Sequence, residues 1–241
     1  MGISALASAL DQQFLRYAPQ FLPVLFNCLR NLGEYELLKT AVGVVGDICR
    51  VLGNNFAPYT QEVVPLLLSA LSNAQINRSV KPPVLSCLGD IGLSVGPAIV
   101  SFLPLIFQTL ARASTLAANH EDEDQVEYVN SLRESIFEAL TGIIQGVRSS
   151  QPAALLPHVN LILNTITHVF SDPVRTDAVA RGIASAIGDI THAIGTQLRP
   201  ALVPGAAGEN LKSIVMEILQ NAESAQTQES ASWAKEMLDK L

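Results

Sequence analysis

From Glu34 to Leu52 the apolar residues Leu37, Leu38, Ala41, Val44, Val45, Ile48, Val51 and Leu52 recur at three- and four-residue steps. That period predicts an amphipathic helix. The same pattern predicts helices over about 77–95, 122–147 and 175–194, each preceded by a shorter apolar segment. The chain therefore reads as pairs of helices, a first (A) and a longer second (B). A last pair spans about 197–220, interrupted near Pro204 to Gly208, and 224–241. Two A segments, Phe14 to Leu29 and Phe56 to Leu71, align without a gap, with Phe14 on Phe56, Tyr17 on Tyr59 and Pro23 on Pro65. A proline at the same register in both predicts a bent A helix rather than a broken one. A third copy, with Ile99, Phe102 and Pro104, carries its proline earlier. The repeated register of Phe14, Tyr17, Phe56, Tyr59 and Phe102 marks them as core.

Inside the B helices the triplet Gly-Asp-Ile occurs at 46–48, 89–91 and 188–190, each followed by a glycine five residues after the isoleucine. Thr141-Gly142-Ile143 stands as a divergent copy between the second and third. A helix pair repeating every 40 to 50 or so residues predicts a solenoid. Gly43 and Gly46 disfavour an isolated helix, and close approach of a neighbouring helix is the expected return. Gly53 supplies a left-handed stop. Asp47, Asp90 and Asp189 have two possible roles: bonding to the neighbouring repeat as a ladder, or facing a ligand.

Hydrophobic residues make up 49% of the 241 residues but aromatics only 5%, which suits aliphatic seams between helices. A net charge of −7 disfavours direct nucleic-acid binding and favours a basic protein partner. Cys28, Cys49 and Cys87 sit in apolar patterns without paired spacing, as buried thiols in a reducing compartment do. Met1 to Leu10 lacks a basic n-region, and the longest apolar stretches are interrupted by Asp or Pro before 18 or so residues. A soluble intracellular chain without membrane insertion is expected. His120, His158, His168 and His192 are scattered, no nucleophile motif or phosphate loop appears, and neither catalysis, metal nor cofactor is expected.

The densest polar signal is the 122–147 helix. Glu127, Asn130, Glu134, Glu138, Thr141 and Gln145 follow helical steps opposite Val126, Val129, Ile136, Leu140, Ile143 and Val147. Between Glu121 and Glu138 seven acids face one base, Arg133. Either this is a solvated face or it receives basic side chains. Trp233, the only tryptophan, lies among Ala231, Ser232 and Ala234 in a polar terminal helix. It reads as core or as an exposed ring able to stack on a cation.

AVGVVGDICRVL (41–52), NRSVKPPVLSCLGDIGLSVG (77–96), EYVNSLRESIFEALTGIIQGV (127–147) and ASWAKEML (231–238) resemble HEAT repeats of the importin-β (karyopherin-β) family, in the order of its carboxy-terminal part. The resemblance implies an all-α, right-handed superhelical solenoid of about five helix pairs, with A helices convex and B helices concave. One unit would span 1–241: a repeat tail at 1–12, then repeats at about 14–53, 55–95, 97–148, 152–195 and 197–241. Residues 3–10 read as the tail of a B helix, so a fragment of a longer solenoid is expected. The implied partners are an importin-α-type adaptor or basic cargo on the concave face, nucleoporin FG repeats in grooves between A helices, and Ran mainly through repeats absent here. Trp233 falls on the concave side under this resemblance, with Glu127, Asn130, Glu134 and Glu138, and the implied locations are cytoplasm, nucleus and nuclear pore. A structural scaffold, as in phosphatase or chromatin complexes, is the alternative of another class.

Overall fold

The computed structural model describes residues 2–241, which contain no strand. Their α-helices are α1 (Gly2–Leu10), α2 (Ala18–Arg30), α3 (Tyr35–Leu52), α4 (Thr60–Ser72), α5 (Lys81–Val95), α6 (Leu103–Ser114), α7 (Glu123–Arg148), α8 (Val159–Phe170), α9 (Asp177–Ile194), α10 (Leu211–Asn221) and α11 (Ala225–Asp239). Even-numbered helices are A helices and odd-numbered ones B helices. They stack into an all-α right-handed solenoid. Polar side chains at Asp122, Thr176 and Ser224 cap α7, α9 and α11 through bonds to the backbone amides of Gln125, Val179 and Thr227, which fixes where these B helices start.

The A segments differ from a single bent helix. Each begins as a 3-10 turn (Asp11–Arg16, Gly53–Tyr59, Gly96–Phe102, Pro152–His158, Gly195–Ala201), and an α-helix follows. Pro23 and Pro65 do lie inside α2 and α4, but the change of direction falls before them. It starts at the glycines that follow the triplets: Gly53, Gly96 and Gly195 all have φ 53°, a region L side chains rarely adopt. Asp11 fills the same place after α1 at φ 48°. The 3-10 turn then carries the chain from the end of one B helix to the axis of the next A helix. The two longest apolar helical stretches, 78–114 and 152–170, are divided in this way and form no single straight helix.

One apolar core runs the length of the stack, from Ala7 to Leu238. Phe14 and Phe56 are fully buried as expected, and Tyr59 packs edge-on to Phe26 of the preceding A helix at 6.5 Å. Tyr17, expected in the core, is instead 44% exposed.

B helices contact one another far more extensively than A helices do, and the α5–α7 seam is the most extensive of all. In a curved stack the closer row is the inner one, so the B helices line the concave side. Glycines set this spacing. A Cβ on Gly89 would lie 2.8 Å from the Ala139 Cα, and one on Gly142 would lie 2.5 Å from the Gly89 carbonyl oxygen. A Cβ on Gly146 would collide with the Gly92 carbonyl oxygen. Gly46 likewise faces the Asp90 carboxylate. Gly43 does not fit the expectation of close approach: nothing lies within 4 Å of its Cβ position.

These two environments predict opposite outcomes for the same substitution. Gly146→Ala should destabilise by about 1–3 kcal/mol, since backbone on both sides must move. Gly43→Ala, in open space within a helix, should stabilise by about 0.5–1 kcal/mol. Urea unfolding midpoints of the two variants check this; equal shifts would refute the glycine contact between α5 and α7.

Candidate functional site: the B-helix face

The triplet aspartates lie at the seams between B helices. Arg50 Nη1 donates to Asp90 Oδ2 at 2.7 Å, crossing from α3 to α5, and its Nη2 donates to Asp47 on its own helix at 2.5 Å. Gln145 Nε2 donates to Asp189 Oδ2 at 2.9 Å, crossing from α7 to α9. Arg50 follows Asp47 by three residues, and Gln145 follows Gly142, the aspartate position of its own triplet, by the same number. One rule covers both rungs: the residue one turn after the triplet donates to the aspartate of the next B helix. Between α5 and α7 the rule lapses. The donor position is Leu93 and the acceptor position Gly142, and glycine contact replaces the hydrogen bond. At α9 the donor position is His192, whose ring is edge-on to Trp233 at 6.3 Å.

Asp189 is the most deeply placed of these carboxyls, only 2% exposed. Burial pushes its pKa up to about 6, and the Gln145 amide and Arg148 charge offset that only in part. Asp172, in the turn before α9, goes the other way. Burial opposes its charge, but the Val174 amide and the Arg133 guanidinium outweigh that and hold the carboxyl below its usual range. Arg133 is itself buried and reaches Asp172 Oδ2 at 2.7 Å, while His120 Nε2 stands 3.8 Å from Oδ1. The lone base of the acidic segment is therefore an internal tie between α7 and the next repeat. Neither its role nor that of Asp172 was foreseen, though an isolated arginine among seven acids was the available signal.

The expected binding residues separate into groups. Glu127 and Glu138 are exposed and Glu134 is half-buried. Ser86 Oγ donates to Glu138 Oε2 at 2.6 Å, and Thr176 Oγ1 donates to Glu134 Oε1 at 3.3 Å. Asn130 departs from this face. It is 3% exposed, and its Nδ2 donates to the Val174 carbonyl at 3.0 Å, because α9 and the turn before it cover that side of α7. Trp233 is half-buried, its ring filling the space where a side chain on Gly188 would stand. Glycine at 188 thus seats Trp233 against α9.

Two open grooves flank α7. One, of about 350 Å³, lies toward α3 and α5 among Arg50, Ser86, Asp90, Leu93, Glu138 and Gln145. The other, of about 600 Å³, lies toward α9 and is bordered by Glu123, Glu127, Glu134, Val126 and Thr176. Among the described residues Glu123, Glu127, Glu134 and Glu138 form no ion pair, whereas Arg50 and Arg133 are held by aspartates. No cluster of His, Cys, Asp or Glu suited to a metal occurs among the described residues. Chemically, the face offers carboxylates without counter-ions at helical spacing.

A family model described as importin subunit beta-1-like, TPR repeats, matches residues 1–203. Importin subunit beta-1 of Arabidopsis thaliana is 34% identical over 238 residues, covering 98% of this chain and 27% of that protein. A crystal structure of importin beta in an ammonium sulfate condition superposes with a TM-score of 0.86 at 33% identity, covering 99% of this chain and 28% of that one. A Kap95:Nup1 complex superposes with a TM-score of 0.82 at 28% identity, covering 99% of this chain and 27% of that one. The chain spans little more than a quarter of the length of these relatives.

The Asp189 environment predicts a signed pH effect. With its pKa raised from 3.8 to about 6, the folded state alone holds a proton between those values. Stability contributed by this group is thus greatest below about pH 4 and declines as pH rises toward 6, by an amount on the order of 2 kcal/mol. Asp189→Asn should abolish that component and match or exceed the parent at pH 7. Unfolding free energies of both chains from pH 4 to 7 measure the difference; parallel curves would rule it out.

Proposed function

Because this chain belongs to the importin subunit beta-1-like family, we propose that it is a segment of a nuclear import receptor whose concave B-helix face seats a basic helical segment, of an importin-α-type adaptor or a basic cargo. The observation that carries this is the row of carboxylates on α7. Glu123, Glu127, Glu134 and Glu138 have no cationic partner, while the nearby bases are occupied by the inter-repeat rungs. A row of like charges along one helix raises the energy of the free protein and is relieved by a cationic ligand. The grooves on either side of α7 admit side chains as long as Arg and Lys, and the half-buried Trp233 on α11 adds an indole whose exposed face suits a further cation. Asn130 borders the α9-side groove with its Nδ2 committed to the Val174 carbonyl, and Asp47, Asp90 and Asp189 hold the frame. The proposed setting is the cytoplasm, the nucleus and the pore between them, with Ran engaged mainly through repeats outside this chain.

A second reading has its own support. The A helices expose Val24 (61%) and Leu105 (54%), and the related Kap95 has been solved with Nup1. FG segments of nucleoporins would enter grooves between A helices through many weak apolar contacts. The two readings differ in salt dependence and in the face used.

Binding of a basic importin-β-binding-type peptide should weaken steeply as salt rises. Glu134→Lys with Glu138→Lys should reduce affinity by roughly 10- to 100-fold at low salt. Titrations by fluorescence anisotropy, with an FG peptide alongside, provide the measurement. Undiminished binding by the double variant would overturn the concave-face reading, and tighter, salt-insensitive binding of the FG peptide would favour the convex one.

A further inference from the structure

The chain carries a net charge of −7, yet its residues 63–120 contain a single acid, Asp90, which Arg50 already holds. The same stretch contains Arg78, Lys81 and Arg112. Among the described residues none of these three forms an ion pair or a side-chain hydrogen bond. They gather at the A–B turn edge of the stack, away from the acidic row on α7. Arg78 lies over the Tyr128 ring at 5.2 Å. Lys81, Arg112 and Tyr128 line an open groove of about 580 Å³ together with Leu71, Leu116 and Leu132. Leu116 is 44% exposed, and no acidic side chain borders the groove.

Helix electrostatics do not account for this cluster. Arg112 lies in the last turn of α6, where the dipole favours a cation. Arg78 and Lys81 lie at the start of α5, where the dipole disfavours one. Two cations thus sit at an adverse helix end without a counter-charge, beside an apolar floor open to solvent. Both features are relieved by the same kind of ligand, one that brings carboxylates to the rim and an apolar side chain to the floor.

We propose that this groove binds an acidic segment of a partner protein carrying bulky apolar side chains among its carboxylates. Arg78, Lys81 and Arg112 meet the carboxylates, and Leu71, Leu116 and the Tyr128 ring cover the apolar group. A polyanionic nucleic acid fits less well. Its phosphates gain nothing from the apolar floor, and the rest of the chain repels them. The site lies on an edge distinct from the B-helix face, so it can be filled while that face holds a basic segment.

The probe is a labelled peptide alternating glutamate with leucine and phenylalanine, titrated against the full chain at low and high salt. Binding should be detectable at low salt and should weaken roughly tenfold or more in Lys81→Glu combined with Arg112→Glu. Should that variant fold poorly by circular dichroism, Lys81→Gln with Arg112→Gln removes the charges more mildly and should still weaken binding. Replacing leucine and phenylalanine by serine in the probe should also weaken it. No binding by the parent chain at low salt, equal binding by both charge variants, or tighter binding of a single-stranded oligonucleotide than of the peptide would each overturn the proposal.

Discussion

Backbone contact between α5 and α7 sets the geometry on which the rest depends. Gly89 and Gly92 on one helix meet Gly142 and Gly146 on the other, so the two axes come closer than side chains would allow. Dispersion forces fall off within a fraction of an ångström, so this contact rewards only one register. It also removes the polar rung found at the flanking seams. With Gly142 in the aspartate position and Leu93 in the donor position, no hydrogen bond is available, and packing alone fixes the angle. The closeness brings Ser86 within 2.6 Å of Glu138, which orients that carboxylate toward the groove between the two helices.

Charge is partitioned by the same rungs. Arg50 is shared by Asp47 and Asp90, and Arg133 is committed to Asp172. Each of these ties places a base against an aspartate at a seam between repeats. The glutamates of α7 are left without a base: Glu134 and Glu138 meet only the hydroxyls of Thr176 and Ser86 across the seams. At the A–B turn edge the opposite surplus appears, with Arg78, Lys81 and Arg112 unpaired and no acid lining their groove. A chain that is acidic overall therefore presents two edges of opposite sign, and each is set by which charges the stacking contacts consume.

Much of this was legible in the residues because helical period and repetition are local signals. The B-helix limits follow from caps and stops close in sequence: Asp122, Thr176 and Ser224 at the starts, Gly53, Gly96 and Gly195 at the ends. The A segments were less legible. Their 3-10 turns keep apolar residues at nearly helical spacing, so periodicity does not distinguish them from the α-helices they precede. Gly43 and Gly46 look alike in sequence, yet only Gly46 meets a neighbour, because the distinction lies in what α5 presents across the seam. Asn130 illustrates the same limit. It follows the steps of the polar face, but the width of that face is decided by how far α9 wraps around α7, and no single helix encodes that.

Trp233 connects these arguments. A tryptophan in a polar terminal helix is ambiguous by composition, and its seat is determined by the absence of a side chain at Gly188. The triplet glycine therefore has different partners along the stack: an aspartate from the next repeat at Gly46, backbone at Gly89 and an indole at Gly188. The aspartate that follows it stays at the seam in each case, and its environment changes with the neighbour. Where the neighbour is Arg50, the carboxylate is paired and partly solvated. Where it is Gln145, with Trp233 held against the adjoining turn, the carboxyl is buried with a neutral donor and its pKa rises to about 6. A neutral amide cannot offset desolvation as a guanidinium can. One repeated motif thus produces a charge-paired seam at one end of the stack and a protonation-sensitive seam at the other.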